Sequence, residues 1–328
     1  MGTVVVKGMP KGRKGKRVAR VLSTYELMQR FPDEPTAIAH LEKTLWPDGP
    51  VCPLCNGRRV KPRRTPGWHN CADCRRDFTV RVGTIFHRSH VPLHKWLYAM
   101  YLVVTSRKGV SSMQLSKEIG VTQKTAWFLL QRIRAACGNQ TEKILSGIVE
   151  ADEVYLGGLE KNKHSKKKLR AGRGTIGKVA VMGIRERDGR VVAKVVDRTD
   201  KETLQGEVLR SVAAGSTVCT DEHASYVGLD ATYDHRSICH SAKQFVDGMA
   251  HTNGIESVWA VLQRGFYGIY HSFSEKHVPL YVHEFVFRLN EGNCEIDTTD
   301  RLEALTKGMI GRRLTYQMLR EGIHGKAA

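Results

Sequence analysis

No stretch of this 328-residue sequence approaches the ~18 consecutive apolar residues that a membrane span needs; the longest apolar run, Trp96 to Val104, is far too short. The start, MGTVVVKGMPKGRKGKR, has no apolar h-region of a secretory signal. These two absences exclude a helical membrane protein and lead us to expect a cytoplasmic one. Acid is also scarce. Asp and Glu number 33 against 52 Lys and Arg, a formal charge of +19. A field of that sign captures polyanions. Nucleic acid is therefore the first candidate partner and an anionic membrane surface the second; a generically basic protein is the plain alternative. In a reducing compartment the eight cysteines are not a disulfide framework, and pairs at metal spacing read as ligands.

Hydrophobic residues make up 41%, enough for a buried core, and the length allows about two domains at roughly 100–200 residues each. There is no internal repeat. Residues 1–45 read as a basic arm followed by short helices, with Ser23 and Glu26 spaced as a capping box. Residues 46–88 hold the cysteine pairs, 89–138 are helical, 145–292 form an α/β unit, and 293–328 read as a C-terminal tail. Within the α/β unit three β-branched runs precede an amphipathic helix, two more strands and a long helix starting near Asn253. Asp188-Gly189 marks a hairpin turn between the second and third runs. That order describes a mixed sheet flanked by helices. The segment KNKHSKKKLRAGRG, with Lys166, Lys167 and Lys168, reads as a basic loop able to meet DNA.

Cys52-Pro-Leu-Cys55 and Cys71-Ala-Asp-Cys74 are two CxxC knuckles. Each turns tightly enough for two thiolates to face one ion, and two complete the closed tetrahedral shell of structural zinc. The segment between them is basic and aromatic, and Phe78 and Val80 end the ribbon. A redox pair is the alternative, and His69 is a substitute ligand. Cys137, Cys219, Cys239 and Cys294 lack metal spacing and read as small buried residues.

Met113 to Ile119, the turn Gly120-Val121-Thr122, and Gln123 to Ala135 have the length of a helix-turn-helix. Gln123, Lys124 and Thr125 would then face base edges or phosphates. An ordinary helical hairpin bridging two domains is the alternative.

Three acids stand out: Asp152 and Asp221 at the ends of predicted strands, and Glu256 in the first turn of the long helix. Acids so placed can converge at a sheet edge and hold two divalent cations about 4 Å apart. Hard oxygen donors suit Mg²⁺ or Mn²⁺. Each acid also has a plain reading. Asp152 with Glu150 and Glu153 forms a solvated charge cluster, Asp221 ends a strand in a turn, and Glu256 completes a capping box with Asn253.

At VEADEVYLGG, TDEHASY and HTNGIESVWAVLQRGFYGIYHSFSEKHVPLYVHEFVFRLN the chain resembles DDE transposases of bacterial insertion sequences, in the family numbered fifteen-ninety-five. FPDE, LWPDGPVCPLC and CADC extend the resemblance, which runs from Tyr25 to Asn290. It implies a ribonuclease H-like catalytic domain that cuts terminal inverted repeats and joins the freed 3′ ends to target DNA. It carries Asp152, Asp221 and Glu256 over as the magnesium-binding triad, and Asn253 as a helix cap. Double-stranded DNA is the implied partner, and a homo-oligomer on DNA the implied working form.

One departure matters. The family commonly carries Lys seven residues after the acid; here Gln263 stands there, with Arg264 next. A step of eight turns the side chain about 80° from the acid's face, so Arg264 reaches a phosphate less directly. Glu284 and Arg288 are spaced to pair on a helix. Trp259 reads as core, and Tyr267, Tyr270 and His271 are open to DNA contact or to packing. Two functions follow: an active transposase, or a zinc-ribbon DNA-binding regulator whose nuclease fold has lost activity.

Overall fold

The computed structural model describes residues 18–138, 144–158, 175, 177–238 and 251–321. Lys166, Lys167, Lys168 and Cys239 lie outside them.

The front end begins with α1 (Thr24–Arg30) and α2 (Glu34–Leu45). The Ser23/Glu26 capping box forms in both directions, and Asp33 caps α2. A three-stranded antiparallel ribbon follows: β1 (Val60–Pro62), β2 (His69–Cys71) and β3 (Asp77–Phe78). Then come α3 (Leu93–Thr105), α4 (Ser112–Ile119) and α5 (Gln123–Cys137). Their apolar faces share one core, including Leu41, Trp96, Met100, Leu115 and Ile133.

The second unit is built on a five-stranded mixed sheet. Strands β4 (Ile148–Leu156), β5 (Val179–Glu186) and β6 (Val191–Val196) are antiparallel neighbours. The turn at Asp188-Gly189 joins β5 to β6, with Asp188 in the left-handed region at φ 57°. Helix α6 (Lys201–Ser211) then leads to β7 (Thr217–Asp221) and β8 (Asp234–Ile238), parallel to β4 and to each other. The sheet order is β6-β5-β4-β7-β8. This is the mixed sheet expected from the order of the elements, and the ribonuclease H-like fold that the family resemblance implies.

Alternation along β4 sorts its side chains between two faces. Val149 and Ala151 join the core under α6. Val154 and Leu156 face α7 (Asn253–Gly265) and α8 (Val278–Leu289), against Ile255, Trp259 and Phe285.

Two expectations are corrected. Residues 293–328 are not simply a tail: α9 (Thr298–Lys307) buries Leu302 and Leu305 in the front-end core, beside α2 and α3, and α10 (Tyr316–Glu321) seats Leu319 against Leu280 of α8. Nor does Asn253 cap α7. Thr252 holds the cap position without a side-chain capping bond, and Asn253 is exposed.

Candidate functional site

The four ribbon cysteines meet. Cys52 Sγ lies 3.7 Å from Cys74 Sγ and Cys55 Sγ 3.6 Å from Cys71 Sγ, and all four sulfurs fall within 4.8 Å of one another. Each knuckle turns through a left-handed residue just past its second cysteine, Asn56 at φ 59° and Arg75 at φ 58°. Cys52 and Cys71 are buried against Phe78 and Trp46. The thiols of the cluster diverge: the backbone N–H of Cys74 draws Cys71 down to about 7, while burial and the neighbouring sulfurs push Cys55 up to about 12. Four sulfur donors in a closed cluster are the donor set of structural zinc. His69 is not among them: its Nε2 sits 2.8 Å from Glu42 Oε1, between α2 and the ribbon.

In the α4–α5 hairpin Ser111 and Thr122 cap the two helices, and Gly120 turns between them at φ 63°. Gln123 and Lys124 are exposed at the start of α5. Gln123 Nε2 donates to Ser112 Oγ at 2.8 Å, the Lys124 ammonium lies 5.0 Å from the Tyr316 ring, and Thr125 is tied to Thr122. The far end of α5 is not a free face. Gln131 and Arg134 are fully buried where α5 packs on α8.

The three acids are drawn together by strand register and by α7. Glu150 pairs with Cys219 across parallel β4 and β7, so two residues on, Asp152 stands beside Asp221 on the α7 face. Helix α7 starts over this edge and brings Glu256 to it. Asp221 and Glu256 are both near enough to act on Asp152. Burial, joined by the charges of Asp221 and Glu256, pushes the Asp152 carboxyl up to about 6. Among the described residues they do not draw within the 4.8 Å that gathers the four thiols. Asp221 Oδ1 accepts from the His223 N–H at 3.0 Å, and Glu256 Oε1 accepts from Thr252 Oγ at 3.1 Å. A carboxylate buried beside other acids, as Asp152 is, favours a cation that offsets the charge.

Two neighbouring acids differ from the solvated cluster that the sequence suggests. Glu150 is buried, at 1% exposure. Its Oε2 accepts the N–H of Ile255 at 2.9 Å, while Oε1 meets Arg187 at 3.1 Å. Glu150 thus does for the start of α7 what Asn253 was expected to do. Gly254 makes room for it, because a Cβ there would lie 2.5 Å from Glu150 Oε2. Glu153 points to the opposite face, near Tyr226, and burial pushes its carboxyl up to about 7. Alternation along β4 was the available signal: it separates Glu150 and Asp152 from Glu153.

Trp259 is buried as expected, but its indole Nε1 also donates to Asp152 Oδ2 at 3.0 Å. Gln263 and Arg264 are both exposed on α7. Tyr267 is exposed, whereas Tyr270 packs inward and donates to Glu284 Oε1 at 2.9 Å. Glu284 and Arg288 pair at 3.5 Å, as their spacing suggests.

A zinc-ribbon front end, a helical hairpin and a ribonuclease H-like sheet with acids at one edge define the class of insertion-sequence transposases. Comparison with known proteins agrees. Residues 144–290 match the ISXO2-like transposase domain, and residues 32–77 match the transposase zinc-ribbon domain, both of the IS1595 type. Together these spans take in more than half of the chain, which belongs to the IS1595 family of transposases. An uncharacterized protein in transposable element ISH50 of Halobacterium salinarum is 29% identical over 276 residues, covering 80% of this chain and 92% of that protein. A cryoEM structure of a simian T-cell lymphotropic virus intasome, in complex with the PP2A regulatory subunit B56 gamma, overlaps 60% of this chain and 66% of its own, just under two thirds. The identity is 14% and the TM-score 0.26.

Proposed function

We propose that this chain is an active DNA transposase. It cleaves at the terminal inverted repeats of its element and joins the 3′ ends to target DNA. Asp152, Asp221 and Glu256 are the residues that hold the catalytic Mg²⁺ or Mn²⁺. The observation that supports this reading is geometric: strand register carries Asp152 and Asp221 towards the same sheet edge, and Glu256 lies in the first turn of the helix over it. Bound there, divalent cations supply activation of water or a 3′-hydroxyl and stabilise the leaving oxygen. The chain's own contribution is placement. The sheet fixes the two aspartates side by side, and Glu150 anchors the helix that brings Glu256.

Structural Zn²⁺ on Cys52, Cys55, Cys71 and Cys74 holds the ribbon. Double-stranded DNA lies along the basic front end, with Gln123, Lys124 and Thr125 at the start of α5 as contacts. Exposed Arg264 meets a phosphate near the acids. The protein acts in the cytoplasm as a homo-oligomer on DNA. Among the described residues no helix is long and apolar enough to cross a membrane. Gln263, exposed where the family commonly has Lys, is the one feature favouring the inactive regulator.

The test is incubation of the purified chain with a duplex carrying the element end, in Mg²⁺. Nicks at the element border, followed by joined products when target DNA is added, are expected. Tight binding with no nick in Mg²⁺ or Mn²⁺ would leave the regulator.

A further inference from the structure

Asp152 pairs directly with Gly183 across antiparallel β4 and β5. Directly paired residues point to the same face of a sheet, here the face covered by α7. Gly183 has no side chain, so a slot opens beside Asp152. The indole of Trp259 fills it. A Cβ on Gly183 would fall 2.5 Å from indole Cζ2, closer than real Cβ atoms come to a neighbour, and 3.1 Å from Ile255 Cδ1, a tight contact. Gly183 is therefore a space requirement: its φ is not in the left-handed region, so backbone freedom does not explain it.

Seated this way, the indole N–H points along the sheet surface to Asp152 Oδ2, 3.0 Å away. Trp259 lies on α7 three residues after Glu256, so the contact ties the helix carrying one acid to the strand carrying another. A buried indole N–H normally finds a partner; this one takes a carboxylate that also feels two other acids. One lone pair of Oδ2 is thereby engaged, and the bond restricts how the Asp152 carboxylate can turn.

We propose that Trp259, seated on Gly183, is a positioning residue that orients the Asp152 carboxylate for metal binding. This rests on the proposed role of Asp152 as a ligand. Groups that hydrogen-bond to metal ligands fix their orientation, and losing one typically costs about 10- to 100-fold in metal affinity. The proposal also gives Gly183 a function, although it touches no reacting group. An added methyl there displaces the indole and breaks the bond to Asp152, with both Trp259 and Asp152 unchanged.

The experiment is a Mn²⁺ titration of the full-length, zinc-loaded chain on element-end DNA, reading free Mn²⁺ by electron paramagnetic resonance. Thermal unfolding of each variant checks the fold. Trp259→Phe keeps an aromatic ring and removes the N–H; it should bind Mn²⁺ about tenfold more weakly with a near-native unfolding midpoint. Gly183→Ala should weaken Mn²⁺ to a similar degree. The double variant should be no weaker than either single, because phenylalanine lacks the outer indole ring that the new methyl strikes. Wild-type Mn²⁺ affinity in folded Trp259→Phe or folded Gly183→Ala would overturn the proposal, and so would additive losses in the double variant. Asp152→Asn in the same titration separates the two levels. If it too binds Mn²⁺ normally, Asp152 is no ligand; if it alone is crippled, only the indole seat is wrong.

Discussion

Arg134 of α5 and Glu284 of α8 form a fully buried ion pair, Nε to Oε2 at 2.6 Å. The Arg134 guanidinium lies 4.0 Å from the Tyr281 ring centroid and 5.4 Å from that of Tyr270, and Tyr270 donates to the second oxygen of Glu284. Gly109, in the turn after α3, leaves the space that the Tyr270 hydroxyl occupies. The helical hairpin and the α/β unit are thus fastened through a desolvated charge pair whose second carboxylate oxygen is bonded as well.

Breaking such a pair by removing one charge is expensive, since the other stays buried. Glu284→Gln should lower the free energy of unfolding by on the order of 3 kcal/mol. Replacing Arg134 and Glu284 together by Met should cost less than either single change. Urea unfolding measures this, and a double variant worse than both singles would contradict it.

The same pair sets an acid limit. Burial alone would raise the Glu284 carboxyl, but Arg134, Arg288 and Tyr270 outweigh it and hold it below its ordinary value. A depressed folded value means the stabilisation is complete above the unfolded value of about 4.3 and is lost as pH falls through the folded one. Stability of the wild type should therefore fall more steeply below about pH 4 than that of Glu284→Gln. Parallel acid limbs in the two proteins would show that Glu284 does not contribute.

Glu150 gives a second test. It caps α7 through Ile255 N and neutralises Arg187 at the same time. Glu150→Gln keeps the shape and removes the charge, and should cost about 1.5–3 kcal/mol. Cleavage should fall with it, because α7 carries Glu256. An unchanged urea midpoint would return Glu150 to the solvated cluster that its neighbours suggest.

The local features of this fold were legible and the non-local ones were not. The knuckles, the Ser23 capping box, the Asp188-Gly189 turn and the succession of strands and helices are all written within a few residues of sequence. Which acid of Glu150, Asp152 and Glu153 does what is decided elsewhere. Arg187 comes 37 residues after Glu150, and the α7 backbone N–H of Ile255 105 residues after it. Arg134 has its partner, Glu284, 150 residues away, beyond the reach of any local pattern. The apolar spacing of Leu302, Leu305 and Met309 was the overlooked sign that α9 belongs to the front-end core.

The ribbon depends on its ion. Zinc binding is folding free energy for a unit this small, whose buried centre among the described residues is Cys52, Cys71 and Phe78. Stripping zinc, or Cys52→Ser, should open residues 52–78 to proteases and weaken element-end binding, while α3 and α5 stay folded. Unchanged protease resistance with zinc removed would contradict this.

The most direct measurement compares wild type with Asp152→Asn, Asp221→Asn and Glu256→Gln on labelled element-end DNA in Mg²⁺. Each variant should bind the end with wild-type affinity and make no nick or joined product. A variant that cuts at the wild-type rate would remove that acid from the site, and three such variants would remove the site.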